Sequence, residues 1–291
     1  MFRERATQNA VAELGYPAPR VVLATMDSAP LGGPFLVMER RPGVVLSRAR
    51  LMGMSRALVE QQLRLHALDP EPLLHALDRE GVPAITRAVA TFDGFLAQLE
   101  RRIASAALAG LAPALGWLRE RRIRPEGRLV ICHGDFHPQN ILVQGDAVTG
   151  VLDWPNAIVA EPEFDVAATR VILRFVPVTL TALSPSGKWL ARIGRPIMAA
   201  RYLSGYRRGR PLDAGRLADY EVANCLRALV RVGESRRRAS GSTGPGDRLD
   251  TPSFTERLIA HVATVAGVKV SLPTAWSGVE SMGDWRDRAG R

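Results

Sequence analysis

Three short apolar runs, Leu129–Cys132, Ile141–Val143 and Val148–Leu152, follow one another between polar loops. They interrupt a chain whose apolar residues otherwise recur at helical spacing. Leu51, Met54, Leu58, Gln62 and Leu65 form one such series; Phe92, Phe95, Leu96, Leu99 and Ile103 form another. This interruption constrains the fold most. It calls for small strands carrying a cluster of loops, set within a mainly helical body.

The flanking regions read in the same way. Arg3–Leu14 is predicted as a helix ended by Gly15, with Tyr16-Pro17 preventing its continuation. Val21–Ala24 and Phe35–Met38 read as strands on either side of Gly32-Gly33-Pro34, and Glu39–Gly43 then breaks the pattern. Helices are expected near residues 163–176, 188–208 and 213–231. A Ser/Gly/Pro-rich linker is expected from Arg236–Arg238 to about Pro252, followed by a helix over Phe254–Val265. No internal repeat is evident.

With 46% hydrophobic and 23% charged residues, the composition excludes disorder throughout the 291-residue chain. Cys132 and Cys225 are too few for a disulfide framework and fit a reducing, cytoplasmic setting. The opening residues lack the apolar core of a secretory signal. The apolar window Val166–Leu183 is interrupted by Arg170 and Arg174, so no membrane span is expected. The net charge is +10, and of 39 basic residues only Lys188 and Lys269 are lysines. Such a charge suits phosphate-bearing ligands or nucleic acid, but codon bias in a GC-rich genome and a solvated surface are the favoured reading. The arginines are scattered over helices without interleaved aromatics, which disfavours nucleic acid.

The chemistry concentrates in Val130–Asp165, VICHGDFHPQNILVQGDAVTGVLDWPNAIVAEPEFD. His133, Asp135, His137 and Asn140 follow directly on an apolar strand, and Asp153 follows another. Ionisable groups clustered at strand ends mark a site. If Val148–Leu152 pairs with Ile141–Val143 as a hairpin, Asn140 and Asp153 lie close together. Their hard oxygen donors suit Mg²⁺, which takes water and phosphate oxygens as its remaining ligands. Asp135 is left for the role of base. Cys132 reads as inert core, Trp154 as packing, and His66 as a core or helix-capping residue. Glu161, Glu163 and Asp219 would attract a cationic acceptor, although helix-surface charge explains them as well.

The pattern His-Gly-Asp-x-His-Pro-x-Asn-Ile-Leu-Val, followed by Val-Leu-Asp-Trp and later Pro-x-x-Asp, resembles the signature of the aminoglycoside phosphotransferase family. That family is similar to choline kinases and, more distantly, to protein kinases. The resemblance runs from about Arg3 to about Arg231. It implies an α+β, protein-kinase-like two-lobe fold, here with a truncated N-lobe (residues 1–42) and a mainly helical C-lobe (43–233); a flexible linker and C-terminal helix or tail (234–291), read from composition, lie outside it. It also implies ATP and Mg²⁺ as cofactors and a small-molecule hydroxyl compound, such as an aminoglycoside, amino alcohol or sugar, as acceptor. By the same resemblance Asp135 matches the catalytic aspartate, and Asn140 and Asp153 match the Mg²⁺ ligands. Backbone groups of Glu39 and Arg41 would meet the adenine edge. Glu4 matches the glutamate that pairs with a phosphate-binding lysine. His133, His137 and Asp165 would brace the catalytic loop.

The chain departs from the family at its start. The Gly-rich hairpin and the lysine-bearing strand have no counterpart, and no lysine precedes Lys188. Arg3 and Arg5, on the same helix as Glu4, are poorly placed to replace that lysine. The expectations are a start assigned too late, a short form that binds nucleotide with impaired transfer, or a partner that supplies the missing strands. The edge of the small N-terminal sheet is left open, a surface through which two copies could pair. Gly134-Asp135-Phe136-His137 also resembles a metallophosphoesterase metal box, a lesser alternative because further ligands are lacking elsewhere.

Overall fold

The computed structural model describes residues 1–49, 53–82, 91–121, 127–176, 185–240 and 249–273. Helix α1 (Phe2–Glu13) buries Ala6, Ala10 and Val11. It stops where the sequence predicts. Gly15 takes φ +79°, a left-handed conformation that costs glycine little. Tyr16 N–H then reaches back to Val11 O (3.0 Å) and Gly15 N–H to Ala12 O (3.0 Å), which satisfies the last carbonyls.

Strands β1 (Val21–Thr25) and β2 (Phe35–Met38) form an antiparallel pair with an irregularity between Val21 and Leu23. The helix α1 holds this pair by side chains that imitate a neighbouring strand. Asn9 Oδ1 accepts from Val21 N–H (2.7 Å), and its Nδ2 donates to Val21 O (3.1 Å). Gln8 Nε2 donates to Pro19 O (2.5 Å). Val22 (69% exposed), Leu23, Val37 and Met38 remain open to solvent on this small sheet.

After the break at residues 39–43 come β3 (Val44–Val45), α2 (Leu46–Ala49), α3 (Met54–Ala67) and α4 (Glu71–Arg79). Helix α5 (Phe92–Ser105) is capped by Thr91 Oγ1, which accepts from Gly94 N–H (3.1 Å). A 3₁₀ turn (Ala109–Leu111) leads into α6 (Ala112–Glu120).

The central strands are β4 (Val130–Cys132), β5 (Ile141–Gln144), β6 (Ala147–Val151) and β7 (Ile158–Ala160). The β5–β6 hairpin is the one the sequence suggests, with Ile141 opposite Val151. The β4 strand does not join it. Its partner is β7, with Ile131 opposite Val159, while β3 pairs with β5. Both β3 and β7 went unread in the sequence, because two or three apolar residues carry no periodicity to separate them from loop.

Helix α7 (Pro162–Phe175) lies at the centre of the body and is buried on nearly every side from Pro162 to Thr169. Helices α8 (Pro185–Gly209) and α9 (Ala214–Ser240) pack on it, and α10 (Pro252–Ala266) packs on α9. Phe164 is fully buried among Phe95 (5.2 Å between ring centres), Tyr220 (5.7 Å) and Phe92 (6.3 Å). Arg195 closes the end of α7 by donating to Leu173 O (3.1 Å), Ile172 O (3.2 Å) and Val176 O. Burial lowers its guanidinium pKa to about 10.

The expected linker at Arg236–Arg238 is instead the last turns of α9. Arg236 makes a fork to Asp250 (2.7 and 2.9 Å), Glu234 pairs with Arg102 (2.8 Å), and Arg237 bonds to Ser105 O, so these arginines tie the helix to its neighbours. Most of the remaining Ser/Gly/Pro-rich stretch and the tail after residue 273 lie outside the described residues. Among those described, no helix is long and apolar enough to cross a membrane. Replacing Phe164 by alanine empties the centre of the aromatic cluster. The expected cost is about 3–5 kcal/mol of unfolding free energy, read from urea denaturation as a lowered midpoint at unchanged slope.

Candidate active site

The loop leaving β4 is shaped by Gly134, which sits at φ +75° where a Cβ would overlap the Asn156 carbonyl. Its N–H donates to Asp165 Oδ1 (2.7 Å), and Thr169 Oγ1 donates to Phe136 O (2.9 Å). Both anchors come from the first turns of α7. Asp165 thus holds the backbone of the loop bearing Asp135.

Register delivers the other candidates. Because Ile141 faces Val151, the hairpin ends with Leu152 N–H bonded to Asn140 O (2.8 Å), and Asp153 is the next residue. Asn140 Nδ2 donates to Asp135 O (3.0 Å), which joins its side chain to the Asp135 loop and turns its amide oxygen away from that bond. That oxygen, and the exposed Asp153 carboxylate, have no hydrogen bond or ion pair among the described residues. Asp153 also takes φ +68°, a region that non-glycine residues rarely occupy. Such backbone strain beside an unpartnered carboxylate marks a site built for something other than the fold.

His133 is buried against Trp154, with ring centres 4.5 Å apart. Its Nε2 lies 3.0 Å from Leu152 O, and its Nδ1 lies 3.3 Å from Asp135 N–H. Asp135 N–H can only donate, so this pairing assigns a neutral imidazole with its proton on Nε2. Burial pushes the His133 pKa down against the opposing charges of Asp165 and Asp135. His137 accepts from Gln139 N–H (3.2 Å) at Nδ1 and places Nε2 3.7 Å from Asp135 Oδ1. Burial lowers its pKa too.

The network behind the loop was only partly visible in the sequence. Asp165 Oδ2 accepts from Gln62 Nε2 (2.8 Å) and faces His66 Nε2 (3.1 Å), while His66 Nδ1 meets Tyr206 Oη (2.6 Å). Gln62 in turn accepts from Tyr202 Oη. Burial raises the Asp165 pKa, but the hydrogen bond from His66, the electrostatic interactions with His66 and His133, and the Gln62 bond outweigh it and hold it to about 2. Gln62 occupies a helical core position and His66 sits one turn on, so the spacing was the available signal.

At the N-terminal side Glu4 lies within electrostatic reach of Asp153. Burial raises its pKa and the Asp153 charge adds to the rise. Arg3 donates to Ala157 O and Arg5 pairs with Glu80, so both cations are engaged away from Glu4. At the break after β2, Glu39 N–H donates to Arg20 O (2.9 Å) and Arg41 Nε to Thr149 O (3.0 Å). The Glu39 carbonyl and the Arg41 N–H make no bond among the described residues. Glu161, Glu163 and Asp219 are consumed by the fold. They bind Tyr220 Oη (2.9 Å) and Arg216, Asp213 N–H (2.9 Å), and Arg121 (3.1 Å) respectively. Cys132 is fully buried, and burial pushes its thiol pKa well up, as expected of inert core.

Residues 1–212 match the phosphotransferase enzyme family. The chain belongs to that family. Acyl-CoA dehydrogenase family member 11 of Rattus norvegicus is 28% identical over 223 residues, which span 72% of this chain and 28% of that protein. This chain therefore spans about a quarter of that relative's length. An aminoglycoside 3'-phosphotransferase of Streptomyces fradiae is 29% identical over 221 residues, 72% of each chain. Among solved structures, a thermostable mutant of an aminoglycoside phosphotransferase with ADP and hygromycin B superposes with a TM-score of 0.57. It is 18% identical and covers 92% of this chain and 83% of its own. These likenesses show the fold implied by the motifs, an α+β kinase-like arrangement of small sheets and a helical C-terminal lobe.

The depressed Asp165 pKa makes a testable statement about stability. A folded-state value below the ordinary 3.8 contributes stability that is complete above pH ~4 and lost as pH falls through about 2. Asp165→Asn is expected to lower unfolding free energy by on the order of 2 kcal/mol at neutral pH. In urea titrations, the gap between wild type and variant should close as the pH drops from about 4 toward 2.

Proposed function

We propose that this phosphotransferase-family chain moves the γ-phosphoryl group of ATP to a hydroxyl of a small-molecule acceptor. The observation that carries this reading is the pair of oxygen donors, Asp153 carboxylate and Asn140 amide oxygen, without partners among the described residues at adjoining backbone positions beside Asp135. Hard, unneutralised oxygens next to a second carboxylate fit a divalent cation with phosphate oxygens completing its shell.

The roles follow from placement. Asp135 orients the acceptor hydroxyl and takes its proton as the new bond to phosphorus forms. Asn140 and Asp153 hold Mg²⁺, which supplies charge neutralisation for the triphosphate. Glu39 C=O and Arg41 N–H meet the purine edge, the unsatisfied acceptor and donor that such an edge requires. Glu4, within electrostatic reach of Asp153, adds a further carboxylate to this side of the site. His133, His137 and Asp165 hold the loop in a fixed geometry, which matters because phosphoryl transfer depends on positioning and charge more than on covalent catalysis. The structural neighbour described above holds ADP and hygromycin B, in keeping with nucleotide and small-molecule binding as proposed here. Within this reading the exposed β1–β2 edge serves as a surface for a second copy, and a single-copy mass in light scattering would overturn that.

The metallophosphoesterase alternative fares worse, because the histidines it would recruit are engaged. His66 is bound to Asp165 and Tyr206, and His261 to Glu221 (2.9 Å). Isothermal titration with Mg²⁺ and ATP, combined with phosphate-transfer assays over a panel of amino-alcohol, sugar and aminoglycoside acceptors, tests the proposal. Asp135→Ala should keep nucleotide binding and lose transfer by about 10³-fold or more. Asp153→Ala should lose both. Wild-type turnover in either variant removes the assignment, and nucleotide binding without transfer to any acceptor favours a binding protein.

A further inference from the structure

Arg227 on α9 was singled out by no motif, yet it reaches the loop that carries Asp135. Its Nη2 donates to Gly134 O at 2.6 Å across 93 residues of sequence. Gly134 O belongs to the peptide unit that leads into Asp135. The N–H of Gly134 is already held by Asp165 Oδ1 at 2.7 Å. Glycine at φ +75° has more freedom to rotate its flanking peptides than any other residue, and apart from Arg227 the second peptide is held only by the long bond from Asp135 N–H to His133 Nδ1 (3.3 Å) among the described residues. On the far side of Asp135, its carbonyl accepts from Asn140 Nδ2 (3.0 Å). The two peptides flanking Asp135 are thus pinned from opposite ends of the loop, one by Asn140 and the other by Arg227.

The choice of an arginine is expensive for a single backbone contact. Arg227 is partly buried, and no carboxylate lies within ion-pair distance among the described residues. Desolvation pulls its pKa down, the charges of Asp135 and Asp165 oppose that, and Arg102 and Arg231 add repulsion. A neutral donor would make the same bond without the desolvation cost of a guanidinium. Unlike Arg195, which serves a helix end, Arg227 spends its guanidinium on the loop that carries Asp135.

Resting on the phosphotransfer reading above, we infer that Arg227 is a positioning residue for the transfer step, holding the Gly134–Asp135 peptide so that the Asp135 carboxylate meets the acceptor. It touches no reacting atom in this role. Its removal should slow turnover without weakening nucleotide binding.

The test uses the full chain with Mg²⁺-ATP as ligand and water as acceptor, so that no unidentified substrate is needed. Arg227→Met is expected to lower kcat for ATP hydrolysis by about 10²-fold, the scale of a misplacement near 1 Å. KM and Kd for Mg²⁺-ATP should stay within about twofold by that same separation of binding from chemistry. Arg227→Lys, which keeps one charged donor, should recover at least part of kcat. Hydrogen–deuterium exchange should show faster exchange at residues 133–137 with the protection of α7 and α9 unchanged. An unchanged kcat and exchange pattern in Arg227→Met overturns the proposal. So does a parallel loss of kcat and nucleotide affinity, or a lysine variant no better than methionine. If the wild type neither binds nor hydrolyses ATP, the phosphotransfer reading fails first and the catalytic role assigned to Arg227 falls with it. Localised exchange at 133–137 would then still show Arg227 to be the anchor of this loop, and its absence would reject the anchor itself.

Discussion

A carboxylate removed entirely from water must collect donors or take up a proton. Asp165 collects Gly134 N–H, Gln62 Nε2 and His66 Nε2, and the rest of the site depends on that gathering. One oxygen fixes the loop of Asp135, and the other binds α3 to α7. Tyr202 and Tyr206 carry the same network into α8. A fully satisfied polar cluster in a low-dielectric interior is rigid, because every alternative arrangement strands a buried donor or acceptor. This rigidity lets a loop of only a few residues hold its geometry between two short strands.

The second feature is a contrast in satisfaction. Behind the loop the polar groups named above are paired. In front of it, the Asp153 carboxylate and the Asn140 amide oxygen have no partner among the described residues, and Asp153 carries a strained backbone. Folding free energy supplies no reason for that front face. The cation and phosphate oxygens proposed above would supply one. The acidic side chains that would have drawn a cationic acceptor, Glu161, Glu163 and Asp219, are spent on Tyr220, Arg216, Asp213 and Arg121.

Much of this was legible before any coordinates. Helices α1 and α10, the β5–β6 hairpin and the clustering of His133, Asp135, Asn140 and Asp153 all follow from local periodicity, turn residues and spacing. Strand β7 and the pairing of β4 with it were not legible, since three apolar residues before a proline look the same in a loop. The extension of α9 through Arg236–Arg238 was misread as linker. Its contacts are with Asp250, with Arg102 through Glu234, and with Ser105, residues distant from it in the sequence. Arg227 gave no signal at all, being one arginine among many.

The sequence alone determined the helical body, the small strands and the motif that places three oxygen-bearing side chains on neighbouring loops, because these are matters of periodicity and short-range spacing. Tertiary structure decided which polar groups neutralise one another and which are left open. It set Asp165 against His66, turned Glu161 inward to Tyr220, and brought Arg227 to Gly134. The physical reason is that desolvation and hydrogen-bond satisfaction depend on what surrounds a group in space, and no local pattern along a chain records that.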